Sequence, residues 1–352
     1  MTRALALPLA SCGNRPRPPA HSLAPSDPAE TITDSLGRSI GIPEKIESAV
    51  IFSTAAYTML RVLGVEHTIT GAGEHVVTRI KGMGGHGGIE NFGLWNNPSV
   101  EKLITARPDL VIAYGTFTPV ETMKQLEAAN ITVAFFDLYM PRRMDGEMLA
   151  LGRLYRKEAK AQEYADFLNS YKRLIAERTE RIPLAARARV YWEGYSDFST
   201  VSNAAQSAGE LIADAACVNI ASHLSAPYPK VSGEWILEAN PDIIIKNSAA
   251  AAGIAGQEIH TRFFAQKEYE RLGRRAGWQN LRALKNKKFL ILASEIAVTP
   301  EGSAAGALII AKTAYPERFA DIDPLAVYEE IRRRFLRAEG PAGVLVHPWE
   351  YP

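Results

Sequence analysis

Residues 101–113 read Glu-Lys-Leu-Ile-Thr-Ala-Arg-Pro-Asp-Leu-Val-Ile-Ala, and residues 234–246 read Glu-Trp-Ile-Leu-Glu-Ala-Asn-Pro-Asp-Ile-Ile-Ile-Lys. Each phrase has a glutamate, a stretch of helical character, Pro-Asp, and a short apolar run rich in β-branched residues. The proline stops a helix, because it lacks the backbone N–H and clashes with the preceding turn. The run that follows is too short for a helix and suits a buried parallel strand. A helix–turn–strand phrase that occurs twice at this separation predicts two similar α/β halves.

Outward from the first phrase, strands and helices alternate. Ile32–Asp34 and Gly37–Ile40 read as a small hairpin. Ala49–Phe52 reads as a strand, and Ser53 as the cap of a helix that stops at Gly64. Val65–Gly71 is expected as a strand, residues 82–97 as a Gly- and Asn-rich loop, Pro119–Ala129 as a helix and Ile131–Asp137 as a strand. This rhythm implies parallel sheet covered on both faces. Between the two phrases, residues 144–182 contain no proline and are rich in Ala, Glu, Lys and Arg. Tyr164, Phe167, Leu168, Tyr171 and Ile175 fall there on one helical stripe. The fold class is therefore α/β: two Rossmann-like lobes with mostly parallel sheets, joined by a single long interdomain helix. The expected layout is an N-terminal lobe over 32–143, a bridging helical segment over 144–183, a C-terminal lobe over 184–337 and a loose tail over 338–352.

The chain has 352 residues, enough for two cores, with 47% hydrophobic and 22% charged residues. A formal net charge of +1 argues against a nucleic-acid partner. Cys217, after Leu-Ile-Ala-Asp-Ala-Ala, reads as a buried thiol. Cys12 closes Leu9-Ala10-Ser11-Cys12 behind Arg3 and the apolar stretch Ala4–Ala10. That arrangement resembles a bacterial lipoprotein signal over 1–12, with Cys12 as the lipidated residue. The proline-rich segment 13–31 reads as a flexible tether. The expectation is an extracytoplasmic protein, lipid-anchored to the cell membrane on the periplasmic side or cell surface.

Two α/β lobes, one long helix and a lipoprotein signal resemble the ABC-transporter substrate-binding proteins that carry iron–siderophore chelates, haem and cobalamin. The likeness is carried by Val50–Gly64, Asn97–Tyr114, Ala226–Lys246 and Trp278–Ala293. It implies a monomer that delivers a small-molecule ligand to an ABC permease and its ATPase. It also implies that one glutamate on each lobe, Glu101 and Glu234, docks on the permease. Both fall in a helix's first turn, where the helix dipole favours negative charge.

Ligands of open α/β sheets bind beyond the carboxyl ends of the strands. Trp95, Tyr114 and Tyr228 fall there and are the first ligand-binding candidates, as positions like these touch the ligand in the family that the chain resembles. Tyr57, Tyr195, Ser248 and Glu295 are further candidates. So is Arg262, in a stretch over Gly253–Phe264 that could form a lid and suit an anionic group. The histidines are scattered without metal-ligand spacing, so no protein metal site and no intrinsic cofactor is expected; His75, His86, His223 and His260 could still converge on the cleft. The implied ligand is a metal chelate, an iron–siderophore first. A corrinoid such as cobalamin, or molybdate or tungstate, is the alternative, and a ligand sensor without a transporter is a second one.

No catalytic residues are expected. Residues 82–87, Gly-Met-Gly-Gly-His-Gly, satisfy the dinucleotide pattern, but loop sequence follows where a helix is needed. Ser99-Val-Glu-Lys102, Ser196-Asp197-Phe198 and Lys312-Thr313-Ala314 only partly mimic the motifs of serine penicillin-binding enzymes.

Overall fold

The two Pro-Asp phrases fold alike, down to their caps. In the computed structural model, Val100–Ala106 and Gly233–Ala239 are seven-residue helices. Each ends on a left-handed residue, Arg107 at φ 47° and Asn240 at φ 42°, whose N–H donates back to Leu103 or Ile236. Each Pro-Asp aspartate then clips the start of a neighbouring strand. Asp109 accepts from the Glu47 N–H, the Ser48 N–H and the Ser48 hydroxyl at 2.8–2.9 Å. Asp242 accepts from the Arg189 N–H at 2.9 Å. Partial burial opposes the ionised form of Asp109, but these bonds win and hold its carboxyl below the ordinary range.

The structure describes residues 30–82, 88–194, 196–203, 208–248, 258–297, 299–339 and 346–348. Residues from Thr31 onward form one unit with two five-stranded sheets. In the first, the spatial order is Glu90–Asn91, Ile69–Ala72, Ala49–Ile51, Leu110–Ala113 and Thr132–Phe135, all parallel. In the second, Val218–Asn219, Arg189–Glu193, Ile243–Ser248 and Phe289–Ala293 are parallel, and Val346–Pro348 adds an antiparallel edge. Part of the expected loose tail is thus a strand, because the open edge of Phe289–Ala293 offers it unpaired backbone groups. A hairpin of Thr31–Thr33 and Ser39–Gly41 precedes the first sheet.

Side chains alternate across both sheets with the strand period of two. In the first sheet Val50, Phe52, Val111 and Ala113 face an outer core that also receives Leu103 and Met123. In the second, Tyr191, Ile244, Phe289 and Ile291 face another outer core, with Ile236 and Trp278. The opposite faces of both sheets (Ala49, Ile51 and Ile112; Val190, Ile243 and Leu292) belong to one continuous core.

The bridging segment is two helices, Pro141–Leu154 and Glu158–Thr179. They pack closely because Gly152 faces Ala161; a β-carbon on Gly152 would stand 2.4 Å from that of Ala161. The 22-residue helix rests on Thr54–Leu63 from the first half and on Ser303–Ala314 from the second. The interdomain helix is therefore a shared wall of the core, not a free strut.

Other expectations shift in detail. Residues 65–71 open with a 3-10 turn over Glu66–Thr68, so the strand begins at Ile69. Residues 74–82 are helical. A 16-residue helix, Glu258–Gly273, covers the end of the expected lid. Cys217 is a buried free thiol, and burial pushes its pKa up to about 12. No helix among the described residues is long and apolar enough to cross a membrane.

Candidate functional site

The strands of both sheets end toward one cavity of about 790 Å³. Thr54 follows the first sheet's central strand, Tyr114 follows Leu110–Ala113 and Tyr139 follows Thr132–Phe135. From the second sheet come Gly194, Asn247 and Ser294. This is the crevice where open α/β sheets bind ligands, and its volume is that of a small-molecule site.

One wall is aromatic. Phe117 stacks on Tyr139 at 5.9 Å with an interplanar angle of 14°, and Trp95 and Tyr114 meet Phe117 edge-on at 5.7 and 5.9 Å. Phe117 is 40% exposed, a large apolar surface left open to the cavity. The Tyr114 hydroxyl is held by the Thr54 N–H at 3.3 Å, at the start of the Thr54–Leu63 helix. Tyr139 is different: its hydroxyl is shut off from solvent beside Thr116, whose own hydroxyl donates to Asp137 at 3.0 Å. Burial pushes its phenol pKa well up.

The opposite wall comes from the loop after Arg189–Glu193, with Ser196, Ser199 and Thr200. A buried charge network sets this loop. Glu193, 1% exposed, takes two bonds from Arg275 at 2.7 and 3.1 Å and lies 3.3 Å from Lys246. Lys246 donates to the Gly194 carbonyl at 2.5 Å, and the Phe198 N–H donates to Glu193 at 3.3 Å. Arg275 also stacks over Phe198 and Trp278, at 4.2 and 4.5 Å.

His75 and Arg79, four apart on one helix, complete the wall on the first sheet's side. Both ring nitrogens of His75 are shielded from solvent, with the Phe52 main chain beside the ring. Burial holds its pKa below the ordinary 6.5, against the nearby Phe52 carbonyl and Glu74 charge, so the ring is neutral at pH 7. Arg79 reaches across to Glu301 at 3.0 Å. Among the described residues no group of three or more His, Cys, Asp or Glu could hold a metal ion.

Of the residues singled out from sequence, Trp95, Tyr114 and Tyr228 all line this cavity, and Tyr228 is 54% exposed at its mouth. Tyr57 does not. It is 3% exposed in the continuous core, because its place on the Thr54–Leu63 helix turns it inward, with Arg61 over its ring at 5.9 Å. His223 packs near Trp235 and is not part of the cavity. Tyr195, Cys12 and His86 lie outside the described residues, as do the side chains of Ser248, His260, Arg262 and Glu295. Sequence reading passed over Arg79, Phe117, Tyr139, Trp192 and Thr200. The strand-end rule that found Tyr114 would also have reached Phe117 and Tyr139. Arg79 and Thr200 carried no such signal.

Glu101 and Glu234 occupy equivalent places, each second in its helix and exposed, behind Ser99 and Ser232. The main chain of Glu234 and the Ser232 hydroxyl hold the Glu234 carboxyl below its ordinary 4.5.

A family model described as periplasmic binding protein matches residues 52–296. The molybdate-binding protein MolA of Haemophilus influenzae is 23% identical over 87% of this chain and 90% of its own length. The vitamin B12-binding protein of Salmonella typhimurium is 25% identical over 48% of this chain and 60% of its own length. Among solved structures, molybdate-bound MolA has a TM-score of 0.72 at 22% identity, covering 89% of this chain and 99% of its own. The TroA-like periplasmic binding protein FepB of Veillonella parvula has a TM-score of 0.75 at 21% identity, covering 92% and 100%.

Proposed function

The chain belongs to the periplasmic binding protein family, and from that premise we propose that it is the extracytoplasmic binding component of an ABC importer. It captures a metal chelate in the cavity between the two sheets and delivers it to a permease through Glu101 and Glu234. The observation that carries this reading is the cavity itself: about 790 Å³, with Trp95, Tyr114, Phe117 and Tyr139 on one wall. That volume is far more than a bare tetraoxyanion needs, and flat aromatic faces suit an organic chelate. An iron–siderophore and a corrinoid both fit this description. Lipid attachment through Cys12 and action as a monomer belong to the same proposal.

Oxyanion binding is the second reading, favoured by the likeness to a molybdate-binding protein along most of both chains.

Trp95 and Trp192 both line the cavity, so tryptophan fluorescence reports directly on its filling. Titration of the full chain with ferric siderophores, cobalamin, haem, molybdate and tungstate is expected to give sub-micromolar quenching by one chelate. Quenching by molybdate or tungstate alone would replace the first reading with the second.

A further inference from the structure

Leu138, the residue before Tyr139, has φ 54°, in the left-handed region that a leucine rarely occupies. Glycine would take this conformation freely. Leu138 is instead fully buried in the continuous core, so the position keeps a large apolar side chain and the backbone is held by bonds. Its N–H donates to Glu147 Oε2 at 2.5 Å. Glu147 lies on the helix Pro141–Leu154 and is 7% exposed.

The other oxygen of Glu147 leads to the turn of the N-terminal hairpin. There Ser35 donates its hydroxyl to Glu147 Oε1 at 2.8 Å, and the same hydroxyl accepts from the Asp137 N–H at 3.0 Å. The Ser35 N–H donates to the Phe135 carbonyl at 2.9 Å, and Arg143 donates to the Ser35 carbonyl. Asp137, 1% exposed, in turn accepts from the N–H and the hydroxyl of Thr116, both at 3.0 Å. Thr116 precedes Phe117 and Leu138 precedes Tyr139, the two rings that stack on the cavity wall. One hydroxyl therefore stands behind both rings, through Glu147 to Leu138 and through Asp137 to Thr116. Fastening the hairpin does not require it. Asp34 accepts from the Phe135 N–H at 3.2 Å, and Arg38 donates to the Val133 carbonyl at 2.8 Å and to Glu127 at 2.6 Å. The bonds of the Ser35 hydroxyl are additional and run to the segments that carry the wall.

Resting on the capture reading above, we infer that Ser35 is a positioning residue for ligand binding, which through Glu147 and Asp137 sets the stacked Phe117–Tyr139 pair that the ligand meets. Ser35, Asp137 and Glu147 are not among the residues that line the cavity, so they act on the ligand only through those rings.

The test uses the full chain with 4-fluorophenylalanine at position 117, whose fluorine resonance reports on the wall without any ligand. Ser35→Ala is expected to shift that line or split it, and Ser35→Thr, which keeps the hydroxyl, should return it. Glu147→Gln has one acceptor oxygen for two donors and should displace the line as well. Ser48→Ala is the control: it loses a hydroxyl bond to Asp109 of the same 2.8 Å length, below the start of the strands, and should leave the line in place. Each protein is then titrated calorimetrically with a ferric tris-hydroxamate, a ferric tris-catecholate, cyanocobalamin and molybdate. The probe that binds the parent should bind Ser35→Ala about tenfold more weakly, the scale of one lost hydrogen bond. Its affinity for Ser35→Thr and Ser48→Ala should match the parent. An unmoved line in Ser35→Ala, or a moved line with parent affinity, overturns the positioning role and leaves capture in place. Silence of every probe with the parent protein overturns the capture reading, and the role of Ser35 in binding falls with it.

Discussion

Arg275 grips both carboxylate oxygens of Glu193, at 2.7 and 3.1 Å, from a position where its own side chain is 11% exposed and that of Glu193 is 1% exposed. The pair fastens the last residue of a sheet strand to the loop that forms one wall of the cavity. Removing one partner of a buried ion pair leaves the other without compensation, at a cost of about 3–5 kcal/mol. Arg275→Ala is therefore expected to lower stability by that amount in chemical denaturation. It should also weaken ligand binding, because residues 194–200 lose their support. An unchanged denaturation midpoint would mean that Lys246, the Tyr191 hydroxyl and the Phe198 N–H suffice for Glu193.

Glu101 and Glu234 are exposed, equivalent in their helices and not among the residues that line the cavity. Reversing both to lysine is expected to reduce transport in a reconstituted importer by at least about tenfold, as charge complementarity governs such encounters. Ligand affinity should stay within about twofold, by the same reasoning. Lost affinity in the double variant would tie the pair to the ligand rather than to the permease.

Trp95 presents a large face to the cavity and is braced by Phe117. Trp95→Ala is expected to cost about 2 kcal/mol of binding, the scale of an aromatic anchor. Tyr57→Phe is the control. That ring is buried elsewhere, so affinity should not move. Titration calorimetry on both variants separates a cavity wall from a general loss of packing.

The neutral, buried His75 makes stability depend on pH with a definite sign. Its folded pKa lies below the ordinary 6.5, so the unfolded chain takes up the proton first as pH falls. The folded state then loses relative stability below about pH 6.5, until the folded pKa is passed. Melting temperature should drop between about pH 7 and pH 5.5, and drop less in His75→Gln. Equal slopes for the two proteins would remove His75 as the cause.

Gly306 sits in the helix Ser303–Ala314 with the Ile296 carbonyl so close that a β-carbon would stand 2.4 Å from its oxygen. Main-chain atoms cannot swing aside as a long side chain can. Gly306→Ala should therefore destabilise by about 1–3 kcal/mol, the cost of an overpacked core. Because Ser294, two residues before Ile296, lines the cavity, the displaced segment should also weaken binding. Denaturation and titration of the same variant check both effects.

The amino-acid sequence by itself determined the α/β halves, the helix between them and the equivalence of Glu101 with Glu234. Those features rest on local physics: proline ends a helix, β-branched runs make buried strands, and a phrase written twice folds twice. Strand ends also pointed to Trp95, Tyr114 and Tyr228, since ligands gather where parallel strands stop. Tertiary structure alone decided the rest. Tyr57 and Tyr114 look alike as sequence, yet one turns into the core and the other into the cavity, because helix rotation against a sheet is set by packing. The pairing of Arg79 with Glu301 joins residues distant in the chain, and no local pattern announces it. The burial of the polar atoms of His75, Tyr139 and Thr200 beside the cavity is equally absent from any local pattern: a polar atom's cost depends on the water it has lost, and sequence does not record that.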